Sequence, residues 1–261
     1  MAGTLRNEGR PPAQPGTAPG VALVRPPARS FTETLTTARR EGRAALIVDV
    51  KCRSPRDGEL IPDAGLENYV RELLDAGVDA LATVTEPVYF GGSLGTARRI
   101  RALSGVPLMR KEFFTSVGQI DESHALGFDA VHLTLRTIGD IGLVTEMQAR
   151  AVALGIEPVI GVHTHEEAEQ AVALGARVVG LNNRDIRALE LDEGTVSHSE
   201  SVTALLPPEI LVISESGLHT PEDVARAAQA GADAVLIGTA VAKNPHPAAF
   251  LRALEGAAWR R

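Results

Sequence analysis

The sequence predicts a single (β/α)8 barrel, and three observations support this fold class. Short apolar segments that suit covered parallel strands alternate with amphipathic helical segments from residue 44 to residue 254. Glycine-containing turns such as Gly77-Val-Asp-Ala80 and Gly231-Ala-Asp-Ala234 recur where a helix should end before the next strand. Eight strand candidates can be identified, which is the number that this barrel requires. A doubly wound open sheet is the alternative architecture.

The composition fits one globular domain and argues against two classes of partner. The chain has 261 residues, a net charge of -7 and a pI of about 5.5, so we expect no nucleic-acid partner. No apolar run approaches ~18 residues and no apolar leader segment is evident, so we expect no membrane span and no signal peptide. Cys52 is the only cysteine, which suits a reducing cytoplasm. We interpret it as a packed thiol.

The amino-terminal region divides into a tail and the start of the barrel domain. Residues 1–29 are rich in Pro, Gly and Ala, and they predict a mobile tail, whereas residues 30–261 form the single barrel domain. Ser30 is the predicted N-cap of a helix over residues 31–40, and Glu33 completes a capping box. The apolar residues of this helix should cover one end of the barrel.

The eight predicted strands and a final helix follow in order. Each strand is short and apolar, and each is followed by a polar loop and an amphipathic stretch. A last helix is predicted over residues 240–254. The strands are predicted near residues 45–51, 79–84, 107–112, 129–134, 157–163, 177–182, 211–215 and 234–238.

Two charges interrupt the first strand. Asp49 and Lys51 are two residues apart, so they should project from the same face of a buried strand. Burying an acid and an amine is unfavourable unless they are paired or used. An ordinary buried ion pair is one interpretation. The other is that this strand delivers catalytic charge to a pocket at its carboxyl end, where barrel enzymes place their active sites.

Polar residues also end several later strands. On the third strand, Arg110 and Lys111 must lie on opposite faces, so one of them points into the barrel mouth. The sixth strand ends with two amides and Arg184, a set that suits a hydroxyl, carbonyl, carboxylate or phosphate. Gly217 and Gly238 follow the seventh and eighth strands, beside hydroxyl residues. Those loops are the usual phosphate site of this fold.

Seven segments resemble the indole-3-glycerol phosphate synthase family of the tryptophan pathway. They occur in family order and at family spacing over about residues 31–255, and together they are specific. The segments are Asp49-Val-Lys-Cys-Arg-Ser-Pro55, Thr85-Glu-Pro-Val-Tyr-Phe-Gly-Gly-Ser93, Arg110-Lys-Glu-Phe113, Glu157-Pro-Val-Ile-Gly-Val-His163, Gly180-Leu-Asn-Asn-Arg-Asp185, Ser214-Glu-Ser-Gly217 and Leu236-Ile-Gly-Thr239.

The resemblance implies a barrel enzyme, a lyase that closes the indole ring of carboxyphenylamino deoxyribulose phosphate with loss of CO2 and water. It implies no metal and no organic cofactor. Lys111 would be the general acid that protonates the substrate carbonyl. Lys51 would hold the carboxylate and assist dehydration, with Asp49 beside it.

The resemblance also implies a role for each remaining site residue. Phe90 and Phe113 would flank the aromatic ring of the substrate. The polar wall would contain Asn182, Arg184, Glu215 and Ser216. The phosphate would be held by Ser54, Gly217, Gly238 and Thr239.

The sequence departs from the family pattern at four positions. Gly161 occupies the position at which the family has a catalytic Glu on the fifth strand, and the loss of such a group lowers rates by roughly 10²–10⁴-fold. His132 replaces an apolar residue on the fourth strand. It is either a core histidine or a substitute acid–base group. Asp49 replaces Glu, and Glu112 replaces Asp.

Several alternatives follow from these departures. A divergent paralogue with an altered substrate or reaction is one alternative, and a non-catalytic phosphosugar-binding barrel is another. Metal binding by His163, His165 and Glu166 is a weaker interpretation of a short motif. We expect a phosphorylated small-molecule substrate, no nucleic-acid or membrane partner, a cytoplasmic location, and a monomer or weak homo-oligomer.

Overall fold

The computed structural model describes residues 29–184 and 194–259, and eight parallel strands in it close into a barrel. Each strand pairs with the next along the chain, and the last pairs with the first. The (β/α)8 prediction is therefore confirmed, and the open-sheet alternative is wrong. The strands are β1 (Ala45–Val50), β2 (Ala80–Val84), β3 (Leu108–Lys111), β4 (Ala130–Thr134), β5 (Glu157–Val162), β6 (Val178–Asn182), β7 (Leu211–Glu215) and β8 (Ala234–Ile237).

The helices lie outside the barrel, except for the first and the short segments in the loops. Apolar residues of the outer helices and of the outward strand faces form two buried clusters. The helices are α1 (Phe31–Glu41), α2 (Leu66–Asp75), α3 (Leu94–Leu103), α4 (Gly118–Ala125), α5 (Leu135–Ile138), α6 (Ile141–Ala153), α7 (His165–Ala173), α8 (Ser197–Thr203), α9 (Pro221–Gln229), α10 (Thr239–Ala242) and α11 (Pro247–Ala257), and a 3-10 turn spans Asp63–Gly65.

Helix α1 closes the amino-terminal end of the barrel. The Ser30 side chain accepts a hydrogen bond from the Glu33 backbone N–H, which confirms the predicted N-cap. Glu33 itself pairs with Arg40 along the helix. Phe31 and Leu35 belong to the same buried cluster as the inward-facing residues of the strands. One end of the barrel is thus filled, and the opposite, carboxyl end remains open to a ligand.

The glycine turns have the geometry that the sequence predicts. The four glycines adopt φ values between +69° and +101°, and each follows a helix: Gly77, Gly127, Gly175 and Gly231. Three of these turns carry an Asp whose carboxylate accepts a backbone N–H from the preceding strand: Asp79 from Leu46, Asp129 from Leu108 and Asp233 from Val212. These bonds fix the amino-terminal rim of the barrel.

One prediction about local structure is wrong, and one local feature was not predicted. The helix predicted over residues 240–254 is two helices, because the chain turns at Asn244, whose side chain accepts from the His246 N–H, and restarts with Pro247 at the first helical position. The loop after β1 contains a small antiparallel hairpin that pairs Arg53–Ser54 with Gly58–Glu59. Gly58 turns it with a φ of +73°.

Three further predictions concern the amino-terminal tail, Cys52 and membrane-spanning helices. The tail prediction falls almost entirely on residues 1–28, which lie outside the described residues. Cys52 is half-buried against the outer apolar cluster, as expected for a packed thiol. Within residues 29–184 and 194–259, no helix is long and apolar enough to cross a membrane.

Candidate active site at the carboxyl end of the barrel

A layer of charged and polar side chains lies above the apolar interior of the barrel. Inward-facing residues such as Ile47 and Met109 fill the lower layers. The next inward position along these two strands carries Asp49 and Lys111, because inward residues recur every second position. The same alternation places His132, Asn182 and Glu215 in this layer, at the carboxyl ends of β4, β6 and β7.

Lys111, Glu215 and His132 form a continuous charged array. The Lys111 Nζ lies 3.0 Å from Glu215 Oε2, and the His132 Nε2 lies 2.5 Å from Glu215 Oε1. Glu215 is completely buried, whereas 16% of the Lys111 side chain is exposed. Burial raises the pKa of Glu215, but the electrostatic interactions and hydrogen bonds with His132 and Lys111 outweigh this effect, so that the pKa of Glu215 lies well below the usual range. Glu215 is therefore a carboxylate held between two basic groups.

Two glycines provide the space for this array. A Cβ atom added at Gly161 would lie 2.3 Å from Cε1 of His132, and one added at Gly180 would lie 2.0 Å from Oε1 of Glu215. Such distances are far below ordinary contact, so neither neighbour could stay in place. The imidazole of His132 thus occupies the volume into which a side chain at position 161 would project. The residues at positions 132 and 161 are therefore coupled sterically.

An open cleft of about 500 Å³ lies above the array, and we call it the aromatic cleft. Phe90 and Phe113 meet edge to face on one side of it, with ring centroids 6.2 Å apart. The Lys51 ammonium lies 5.5 Å from the Phe90 ring centroid. The lining residues are Asp49, Lys51, Val84, Glu86, Phe90, Lys111, Glu112, Phe113, His132, Thr134 and Asn182.

A second cleft of about 380 Å³ adjoins the first, and we call it the glycine cleft. Asp49, Lys51 and Lys111 line both clefts, so one extended ligand can reach both. The glycine cleft is also lined by Arg184, Ser216, Gly217, Leu218, His219, Leu236, Ile237, Gly238, Thr239 and Ala240.

The loop after β7 is held in an unusual conformation beside the glycine cleft. Ser216 has a φ of +63°, the only positive value among the described non-glycine residues, and Gly217 follows with +65°. The Asn183 amide donates to the Ser214 hydroxyl and to the Ser216 carbonyl, which fixes this turn from behind. Strained backbone of this kind is typical of ligand-binding sites.

Arg110 and Ser54 are bonded to protein groups and line neither cleft. Arg110 is fully buried on the outer side of β3, where it bonds Thr85, Ser123 and Glu122, so Lys111 is the residue that faces the barrel mouth. Ser54 does not line either cleft; its hydroxyl accepts from the backbone N–H of Asp57. A phosphate contact by Ser54 stays a prediction.

The structure does not support the interpretation of His163, His165 and Glu166 as metal ligands. His163 is buried beside Glu167 at the start of α7, and its backbone N–H donates to that carboxylate. His165 begins α7, as the sequence predicts. No group of three or more His, Cys, Asp or Glu side chains within the described ranges could hold a metal ion.

Sequence reasoning missed several residues of the site. Glu86 lines the aromatic cleft, and its carboxylate accepts the backbone N–H groups of residues 88, 89 and 90, which orders the loop that carries Phe90. Thr134 bonds the Nδ1 of His132 at 3.0 Å. The signal for both was their position just after an apolar strand, where barrel strands reach the active-site rim.

Comparisons with known proteins agree with this geometry. The family profile described as indole-3-glycerol phosphate synthase matches residues 17–254. The enzyme of that name from Nocardioides sp. is 36% identical over 83% of this chain and 82% of its own length. The one from Thermococcus kodakarensis is 35% identical over 83% of this chain and 94% of its own.

Solved structures support the fold alone. A structure described as native KDPGal has a TM-score of 0.56 and 19% identity, and the match covers 81% of this chain and 93% of that one. A designed cube-shaped protein cage gives a TM-score of 0.57 and 19% identity over 82% of this chain and 72% of that one.

Proposed function

The chain belongs to the indole-3-glycerol phosphate synthase family, and from this premise we propose that it closes the indole ring of carboxyphenylamino deoxyribulose phosphate with release of CO2 and water. The observation that carries the proposal is the pair Lys51 and Lys111. Both ammonium groups line an aromatic cleft and an adjoining glycine cleft, as a substrate with an aromatic acid at one end and a phosphate at the other requires.

The glycine cleft suits the phosphate. Gly217 and Gly238 bring the backbone close to the ligand, and the short helix α10 begins directly after Gly238. Arg184 supplies a guanidinium, whose fork geometry matches phosphate oxygens. Ser216 and Thr239 add hydroxyl groups beside it.

The aromatic cleft suits the anthranilate end of the substrate. Phe90 and Phe113 offer an apolar wall for the ring, and aromatic groups prefer the offset or edge-to-face contacts that this wall allows. Lys51, held over the Phe90 ring, can pair with the ring carboxylate. Asp49 lies next to it on the same strand face and balances its charge.

Lys111 is placed to begin the chemistry as a general acid. A bond forms between the ring carbon that carries the carboxylate and the ketone carbon, while Lys111 gives its proton to the ketone oxygen. The bond to the carboxylate then breaks, CO2 leaves, and its electron pair restores the aromatic ring. Glu215 orients the Lys111 ammonium through the 3.0 Å ion pair. Lys51 supplies the second proton, so that the hydroxyl group leaves as water. The Asn182 amide lines the same aromatic cleft.

The protein's partners and location follow from the same proposal. The substrate is a phosphorylated small molecule, and the net charge of -7 argues against nucleic acid as a partner. A monomer or weak homo-oligomer in the cytoplasm remains our prediction. Light scattering of the purified protein tests the oligomeric state.

Turnover of the synthetic substrate, followed by indole fluorescence, tests the proposal. The wild-type protein should produce indole-3-glycerol phosphate, and Lys111→Met should lower kcat by at least about 100-fold with little change in substrate affinity. Lys243→Met is the matched control, because this third lysine is exposed and pairs with Asp57 on the surface. A wild-type protein that binds the substrate without converting it would refute the proposal.

A further inference from the structure

His132 occupies a place in the active site that its neighbours are shaped to provide. The side chain is buried, and it lies over Gly161 and Gly180, two adjacent strand positions where any Cβ atom would collide with His132 or Glu215. Its imidazole is fixed at both nitrogens, 2.5 Å from Glu215 and 3.0 Å from Thr134. A histidine that only filled the core would not require a hydrogen bond to a buried carboxylate. Nor would it require two neighbouring glycines at the edge of an open cleft.

Ring closure leaves one proton to be removed. After CO2 and the hydroxyl have gone, the carbon next to the ring nitrogen still carries two hydrogens, and the indole double bond forms only when one of them leaves. We propose, on the basis of the function inferred above, that His132 is the catalytic base that removes this proton. The C–H bond breaks, its electron pair becomes the indole double bond, and the proton moves to the imidazole, so that the step is balanced without any co-reactant.

The geometry assigns a nitrogen to this role. Nε2 faces the Glu215 carboxylate, so in the neutral ring the hydrogen sits on Nε2 and points to Glu215. The lone pair is then on Nδ1, where it accepts from the Thr134 hydroxyl. Thr134 also lines the aromatic cleft, and its hydroxyl can rotate away to expose Nδ1. A carboxylate behind an imidazole stabilises the imidazolium that forms, as in hydrolase triads.

The other carboxylates around the aromatic cleft are less suited to act as the base. Glu86 accepts three backbone N–H groups, and Glu112 accepts from the Thr85 hydroxyl and from the Phe113 N–H. Glu215 is completely buried between Lys111 and His132. Asp49 is the competing candidate, and the experiment includes it.

A single-turnover experiment with the full-length protein separates the steps, because CO2 leaves before the last proton. CO2 release and indole fluorescence are followed together for the wild type, His132→Gln, Asp49→Asn and the exposed control His246→Gln. In His132→Gln, indole formation should slow by about 100-fold or more while CO2 release stays within a few-fold of the wild type. The amide of Gln can still donate to Glu215, which limits structural loss. His246→Gln should match the wild type.

Three outcomes would overturn the inference. Equal slowing of CO2 release and indole formation in His132→Gln would show a structural role. Unchanged indole formation in His132→Gln would show that His132 has no role in the reaction. If indole formation slowed relative to CO2 release only in Asp49→Asn, Asp49 on β1 would be the base instead. Substrate binding without any wild-type turnover would instead refute the proposed function, and the inference would fail with its premise.

Discussion

Adding one methyl group at Gly161 should displace His132. The new Cβ would lie 2.3 Å from Cε1 of the imidazole, whereas ordinary contact begins at 3.4 Å, so the ring must retreat by about 1 Å. A shift of that size stretches the 2.5 Å bond between Nε2 and Glu215 beyond hydrogen-bond range. Overpacking of about 1–3 kcal/mol and loss of a charge-assisted bond of about 1.5–3 kcal/mol together predict a free energy of unfolding lowered by about 2.5–6 kcal/mol in Gly161→Ala.

Urea denaturation of the wild type and four variants tests this reasoning. Gly105→Ala is the control, because nothing lies within 4 Å of a Cβ at that position and its φ is not positive. In a His132→Ala background the ring is absent, so Gly161→Ala should be nearly neutral there. The steric coupling would be refuted if Gly161→Ala lowered the free energy of unfolding equally in the wild-type and His132→Ala backgrounds. It would also be refuted if Gly161→Ala cost less than about 0.5 kcal/mol in the wild-type background. By the same coupling, Gly161→Glu alone should not raise turnover, because its Cβ meets the same ring.

Three further predictions concern neighbouring positions. Arg110→Leu should lower the free energy of unfolding by about 3 kcal/mol in urea denaturation, because it removes a buried cation from its partners, yet kcat should change only a few-fold, in contrast to Lys111. Gly238→Ala should raise the KM about tenfold with a small change in kcat, because the Cβ would lie 3.1 Å from the backbone oxygen and Cβ of Asp49 and narrow the glycine cleft. The lowered pKa of Glu215 means that the unfolded chain binds a proton below about pH 4.5 and the folded protein does not, so this carboxylate stabilises the fold above that pH and loses its effect as the pH falls further. In Glu215→Gln, the free energy of unfolding should therefore fall less steeply between about pH 5 and pH 3 than in the wild type, as measured by denaturation at each pH.

Local sequence patterns fixed the elements but not their exact limits. The strand ending at Lys111 could be identified from its apolar residues, and alternation required that either Arg110 or Lys111 face inward. The choice depended on tertiary packing, because only the outer side of β3 offers Arg110 the hydroxyls and the carboxylate that satisfy its guanidinium. The break at Asn244 was missed because tertiary structure, and not helical periodicity, sets the short α10 beside the glycine cleft.

The sequence by itself determined the barrel, its open end and the identity of the charged strand ends, because these follow from alternation, glycine turns and family motifs that act over a few residues. Only the tertiary structure decided how His132 and Gly161 relate. They lie on adjacent strands and are separated by 29 positions in the chain, and the reason that one excludes a side chain at the other is a contact of 2.3 Å that no local pattern encodes. The same closure of the sheet brings Lys111 within 3.0 Å of Glu215 across the barrel, which makes one charged array from residues that the sequence presents separately.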